Sequence, residues 1–262
     1  GSEKSLQKCR EEGSDIRIIY SSMDAVAIEE SEPSKAVIFA GIGFETTAPA
    51  TAAAIKLADE KGVENFFVLS AHKIMPPAMK AVIQEGAKIN GYLCPGHVST
   101  ITGSEIFNIF PEKYNVGTVI SGFEPIDILL SVLMLIHQIN SGNFKTEIQY
   151  SRAVRPEGNL KAKNLIDDVF IKENSEWRGM GVLPLSGLKI NEKYKKFDAL
   201  TSFSLRNTYS DENTDCICGE ILKGLKSPED CALFGTKCTP VNPVGACMVS
   251  SEGTCNAWMK WN

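Results

Sequence analysis

Cysteine is scarce in the first four fifths of this 262-residue chain, where only Cys9 and Cys94 occur. A disulfide framework across that part is therefore excluded. An excess of basic charge is missing as well: 27 Lys and Arg stand against 32 Asp and Glu, a formal net charge of -5. There is no basic stripe for a phosphate backbone, so nucleic acid is not an expected partner. Nor is there an apolar run of the ~20 residues that span a bilayer. The most apolar stretch, Ile126 to Ile136, is interrupted by Asp127 and Ser131 and reads as a buried helix, so no membrane association is expected. No secretory apolar segment opens the chain, and a cytoplasmic location is the expectation. The start, GSEKSLQKCREEG, carries no methionine and reads as a piece of a longer protein.

What is present is enough apolar material, 43% of residues, to bury a sizeable core. Short runs rich in β-branched residues fall at 16–21, 36–41, 66–71, 89–94 and 116–122. Helical patterns lie between them, at 51–61, 78–85, 103–110 and 126–139. This alternation predicts an α/β fold with a parallel sheet. SEPSKA (31–36) reads as a linker. After Gly142 the rhythm weakens, passing through a helix near 159–170 and a further strand within 176–190. Beyond residue 200 the composition turns to Asn, Thr, Asp, Cys, Gly and Pro, which marks a small loop-rich C-terminal domain. The expected organisation is a remnant of a first domain over 1–32, an α/β domain over 33–200 and a Cys-rich domain over 201–262.

Polar residues recur just after the predicted strands: Glu45, His72, His97, Glu124 and Asp127. In an open parallel sheet these ends line one crevice, where ligands bind. Glu45, His72, His97 and Asp127 are thus candidate cleft residues, although turns that start helices use the same residue types for capping. His97 is the favoured proton donor or polar ligand, because imidazole titrates near neutral pH. His137 falls inside an apolar helix and reads as packed or at the surface. GIGFET resembles the dinucleotide fingerprint, but Thr46 replaces its third glycine and Glu45 would repel a pyrophosphate. The tripeptide GFE recurs at 43–45 and 122–124, one strand-to-helix turn used twice.

Six of the eight cysteines occupy the end of the chain in the spacing C-x-C-x12-C-x6-C-x8-C-x7-C. Disulfides, a zinc site and an iron–sulfur cluster are the alternatives. Zinc favours paired Cys-x2–4-Cys knuckles, which are not found. A cluster accepts irregular spacing and would itself serve as the core of a domain poor in large apolar residues. Four ligands leave two thiols over. In an extended chain Cys216 and Cys218 point to opposite sides, so one should face the metal while the other meets a different partner.

The stretches GFETTAPATAAA, PGHVSTITG, GFEPIDILL, EWRGMGVLPLSGL and CICGEILKGLKSPEDCALFGTKCTPVNPVGACMVSSEGTC together resemble the hydrogenase maturation factors of the HypD family. The resemblance implies two α/β domains and a [4Fe-4S] domain whose surroundings are similar to those of ferredoxin:thioredoxin reductase. It implies cluster ligation by Cys216, Cys231, Cys238 and Cys255, with Cys218 and Cys247 as a redox-active pair. It also implies an accessory protein that works with HypC and HypE as a scaffold on which the Fe(CN)2CO group of [NiFe]-hydrogenases is assembled and transiently held. The family's Cys-Gly-Thr-His motif has no counterpart here, since Cys9 lies in SLQKCREEG and Cys94 precedes PGHVS as a buried small side chain. The expectation is that this chain binds its cluster without retaining the diatomic-ligated iron. A stand-alone [4Fe-4S] thiol–disulfide oxidoreductase and a zinc-stabilised α/β binding module are the alternatives.

Overall fold

The computed structural model describes residues 4–205 and 215–262. Residues 1–3 of the expected first segment and 206–214 of the expected Cys-rich domain lie outside the described residues. Helix α1 (Leu6–Glu11) starts at Ser5, whose hydroxyl accepts the Lys8 N–H at 3.1 Å, an ordinary N-cap. The stretch 16–21, expected as a strand, forms no ladder and leads into α2 (Ser22–Ser31). Charge holds it instead: Arg17 pairs with Asp15 and Glu32, and Lys35 with the same two carboxylates.

Strand β1 (Val37–Gly43), helix α3 (Ala48–Glu60) and strand β2 (Phe66–His72) form a βαβ unit, with the strands parallel from Val37 opposite Phe66 to Gly43 opposite His72. Helix α3 has a proline in its first turn, where the missing N–H costs nothing. Its buried stripe of Ala48, Ala52, Ile55 and Ala58 recurs at helical spacing. Helix α4 (Met75–Gln84) then leads into a second unit. This comprises β3 (Gly91–Pro95), α5 (Gly96–Thr102), α6 (Ile109–Tyr114), β4 (Gly117–Ser121), α7 (Pro125–Ser141) and β5 (Thr146–Ile148). Its sheet runs β3-β4-β5, parallel throughout, over a core that includes Cys94, Phe107, Phe110 and Ile120.

The chain then returns to the first unit. Helix α8 (Leu160–Val169) packs on α3, and β6 (Phe170–Trp177) with β7 (Gly181–Ile190) forms an antiparallel hairpin whose second strand lies against β2. The Ile74 N–H bonds the Ser186 carbonyl at 2.8 Å. One apolar core joins Ile55, Phe66 and Val68 to Val169, Phe170 and Phe197. The single crevice expected over 33–200 is therefore replaced by two separate parallel sheets with the second unit inserted into the first. The segment that returns to α8 meets the turn after α5 at Gly158 and Gly103, both at positive φ. A Cβ on Gly103 would meet the Pro156 carbonyl at 2.1 Å, so only glycine lets the backbones touch.

Helix α7 forms where expected but is not buried. Its inner stripe is Asp127, Ser131, Leu135 and Gln138, whereas Ile126 and Leu129 are 60% and 66% exposed. Polar ties fix that orientation. The Ser131 hydroxyl donates to Ser121 Oγ at 2.9 Å, and Gln138 donates to Glu147 at 2.7 Å. Gly91 and Gly117 leave room for Leu135 and Gln138 against the strands. No helix among the described residues is long and apolar enough to cross a membrane.

Helix α9 (Ala199–Ser202) closes the body beside β2. The loop-rich C-terminal region contains α10 (Cys218–Leu222), α11 (Ala246–Val249) and α12 (Thr254–Trp261). Its core is separate from the two above and consists of Cys218, Ile221, Cys231, Leu233, Cys238, Cys247, Met248 and Cys255.

Candidate metal centre

Six thiols meet in the C-terminal region although the sequence spreads them over 40 residues. Cys216, Cys218, Cys231, Cys238, Cys247 and Cys255 line one cavity together with Ile221, Phe234, Gly245 and Met248. Each comes from a short element or a tight turn. Cys218 opens α10, Cys247 lies in α11 and Cys255 in α12. Cys231 follows a 3-10 turn whose capping box joins Ser227 and Asp230. Cys238 bonds back through its N–H to the Leu233 carbonyl at 2.8 Å. All but the half-buried Cys216 are buried, and all eight cysteines of the chain are free thiols.

Sequence spacing placed Cys216 and Cys218 on opposite sides of an extended chain, and the structure corrects this. Cys218 begins a helix, so the strand alternation does not apply, and both side chains reach the same cavity. Gly245 makes the approach possible, because a Cβ there would lie 2.5 Å from Cys216 Sγ and 3.3 Å from Cys218 Cβ. Cys218 and Cys247 are neighbours. The Cys247 thiol donates to the Cys218 carbonyl at 3.7 Å. Hydrogen bonding from the Cys247 side chain and from the N–H groups of Cys247 and Ala246 lowers the Cys218 thiol against the cost of burial. The same hydrogen bond, reinforced by burial, pushes Cys247 up. Within the pair the charged form is therefore favoured at Cys218 and the protonated form at Cys247, the asymmetry that makes a cysteine nucleophilic. Burial raises Cys216, and it raises Cys255 to about 11.

The donor set suits an iron–sulfur cluster. Soft thiolates surround an apolar cup, the Val244 N–H points at Cys238 Sγ at 3.3 Å, and glycine at 245 keeps the wall clear of carbon. N–H bonds to sulfur are among the features that tune such centres. Among the described residues, no three or more His, Cys, Asp or Glu side chains are arranged to hold a single metal ion. A four-iron core binds its thiolates at separate corners and makes no such demand. The space between the sulfurs, about 10 Å³, is that of one water molecule. The fit therefore rests on donor chemistry and the glycine wall, and holding a cluster requires the sulfurs to spread.

Sequence reasoning missed the cover over this cup. The tip of the β6–β7 hairpin docks on Cys218. A Cβ on Gly179, whose φ is +84, would lie 2.7 Å from Cys218 Sγ, and one on Gly219 would lie 2.4 Å from the Gly179 carbonyl. Arg178 donates to the Val244 carbonyl at 2.6 Å, and Lys223 pairs with Glu85 of the body. The paired glycines of RGMG were the available signal for a turn of this kind.

The four cleft candidates do not share one sheet edge. Glu45 and His72 follow β1 and end β2, whereas His97 and Asp127 belong to the sheet of β3 and β4. His72 is 1% exposed, packed against Phe170, with Nε2 near Thr51 Oγ1 at 3.3 Å and Nδ1 near Ser70 Oγ at 3.2 Å. Burial lowers its pKa to about 4, so it is neutral. Ser70 also donates to the Leu188 carbonyl at 2.7 Å and Thr51 to the Thr47 carbonyl at 3.3 Å, so the ring is held between two hydroxyls that are themselves tied to the backbone. Asp127 is buried and held by Arg152 and Gln149, whose hydrogen bonds keep its carboxyl well below the usual range. It also closes the capping box of α7 with Glu124. His97 is exposed and stacks on Phe123 with centroids 3.9 Å apart. Cys94 is buried in the second core, where desolvation raises its thiol.

The HypD family model, described as the hydrogenase formation hypA family, matches residues 1–262. A hydrogenase expression/formation protein of Methanocaldococcus jannaschii is 46% identical over 261 residues, which span 100% of this chain and 73% of that one. The hydrogenase maturation factor HypD2 of Bradyrhizobium diazoefficiens is also 46% identical, with 97% of this chain and 69% of its own length covered. For HypD of Escherichia coli the identity is 38%, with 100% and 70% covered. With six thiols in one cup and matches of this extent, the chain belongs to the HypD family.

Proposed function

We propose that this chain acts in hydrogenase maturation as a cytoplasmic scaffold and redox protein that takes part with HypC and HypE in assembling the Fe(CN)2CO group, without itself retaining that iron. Membership of the HypD family supports the role in hydrogenase maturation. The observation that carries the chemical part of the reading is the convergence of six thiols on one cup. Cys216, Cys231, Cys238 and Cys255 are assigned to a [4Fe-4S] cluster, and Cys218 with Cys247 to a dithiol. When bound, such a cluster supplies one-electron transfer at a potential set by burial and by hydrogen bonds to its sulfurs. Closing a disulfide between Cys218 and Cys247 releases two protons and two electrons, and reopening it takes both back. The depressed Cys218 thiol is the nucleophile for exchange with an external sulfur. Of the four strand-end candidates, exposed His97 is the one placed to meet an incoming group.

Protein purified without oxygen is expected to contain about four irons with matching labile sulfide. Cys218→Ser and Cys247→Ser should each keep the iron and lose the two-electron thiol titration. One tightly bound zinc without sulfide, or loss of iron in either of those variants, overturns the assignment. Retention of purified HypC on the immobilised chain tests the scaffold half, and failure to retain it counts against that half alone.

A further inference from the structure

Where the inserted unit meets the first, a cavity of about 570 Å³ lies between α4, the loop before α6, and the β6–β7 hairpin. Its size is that of a small-molecule site. Ile74, Pro76, Ile106, Ile109 and Leu185 give it apolar walls, while Lys80, Lys163 and Lys172 stand with two carboxylates, Asp167 and Glu45, among its lining residues.

Two further observations coincide at this cavity. Glu45, part of its wall, is only 5% exposed. Its Oε1 accepts the Met75 N–H at 2.9 Å, but Oε2 is shut off from solvent with no hydrogen-bond partner. A buried acceptor left unmet is costly, and native proteins rarely keep one without use. Leu185, also in the wall, has φ of +51, held by its N–H to Asn174 Oδ1 at 3.0 Å. That conformation is unfavourable for a residue with a branched side chain, and such strain gathers at ligand sites. Burial raises the Glu45 carboxyl, opposed by the Met75 N–H, its own N–H and the charge of Lys172.

We propose that this cavity binds a small organic anion with an apolar body and a hydrogen-bond donor at the end away from its charge. The apolar walls take the body, a turn of the Glu45 carboxyl out of the wall lets Oε2 accept the donor, and the lysines of the lining attract the anionic group. The site shares no residue with the thiol cup, so it stands or falls independently of the proposed function.

The test uses 6-(p-toluidino)naphthalene-2-sulfonate, whose N–H and sulfonate stand at opposite ends of an apolar body, titrated into the full chain by fluorescence. One saturable site per chain is expected. Glu45→Gln should weaken it about tenfold, the loss of one well-placed hydrogen bond, because Gln can keep the Met75 N–H only by turning its own N–H toward the ligand. Lys80→Glu, a surface change that does not threaten folding, should weaken it severalfold and lessen its salt dependence. Leu133→Ser on the exposed face of α7 should leave it unchanged. Absence of saturable binding, equal affinity in Glu45→Gln and Lys80→Glu, or loss in Leu133→Ser, which would put the dye on α7, overturns the proposal.

Discussion

The α/β body and the C-terminal region meet the same need, a buried core, with different atoms. In the body the fully buried side chains are chiefly hydrocarbon, among them Phe66 on β2, Ile55 on α3, and Phe107, Phe110 and Phe197 on shorter helical segments. In the C-terminal region five of the eight core residues are cysteines, three carried by helices of 5, 4 and 8 residues and two, Cys231 and Cys238, by turns. Helices so short do not hold themselves together. The body is stabilised by removing hydrocarbon from water, whereas the C-terminal region, on the function proposed above, depends on what its sulfurs bind.

The sharpest way to break this contrast is Cys238→Ser, which removes the sulfur that accepts the Val244 N–H. Iron content should fall to near zero and amide exchange in 215–262 should lose its protection, while the body keeps its own. Loss of protection in both regions would mean that they are one cooperative unit.

A smaller effect belongs to the body alone. His72 has a folded pKa of about 4 against about 6.5 in the unfolded chain. The unfolded state therefore binds the proton first, so stability is full above pH 6.5 and is lost as the pH falls toward 4. Between pH 7.5 and pH 5 the loss from this group is about 2 kcal/mol. Urea titrations of wild type and His72→Gln at the two pH values measure it as a difference of differences. Equal pH dependence in the two proteins would remove the buried neutral histidine from the account.

The smallest effect is expected on α7. Leu133 is 49% exposed, so Leu133→Ser should change stability by less than about 0.5 kcal/mol. A loss of several times that would show this face to be covered in solution.

The elements legible in the sequence were those with a strong period. β1, β2, β3 and β4 announced themselves by β-branched runs, and α7 and α8 by helical spacing. Strand β6 did not, because KENSEW has no apolar alternation and is held by pairing with β7. The run at 16–21 was over-read because apolar residues make a strand only where an edge takes their hydrogen bonds. In the site, the thiols were legible by their number. The docking of Gly179 on Cys218 and the unmet oxygen of Glu45 were not, since both depend on segments more than 25 residues apart.

The sequence by itself determined the α/β alternation, the separate Cys-rich region and the chemistry of its donors, because these follow from composition and local period. Tertiary structure decided that there are two parallel sheets and not one, that α7 turns its polar stripe inward, and that Cys218 lies beside Cys247. Those outcomes rest on long-range packing, where a glycine that lets two backbones touch, or a hydroxyl that reaches across to a neighbouring strand, outweighs the preference of any single stretch.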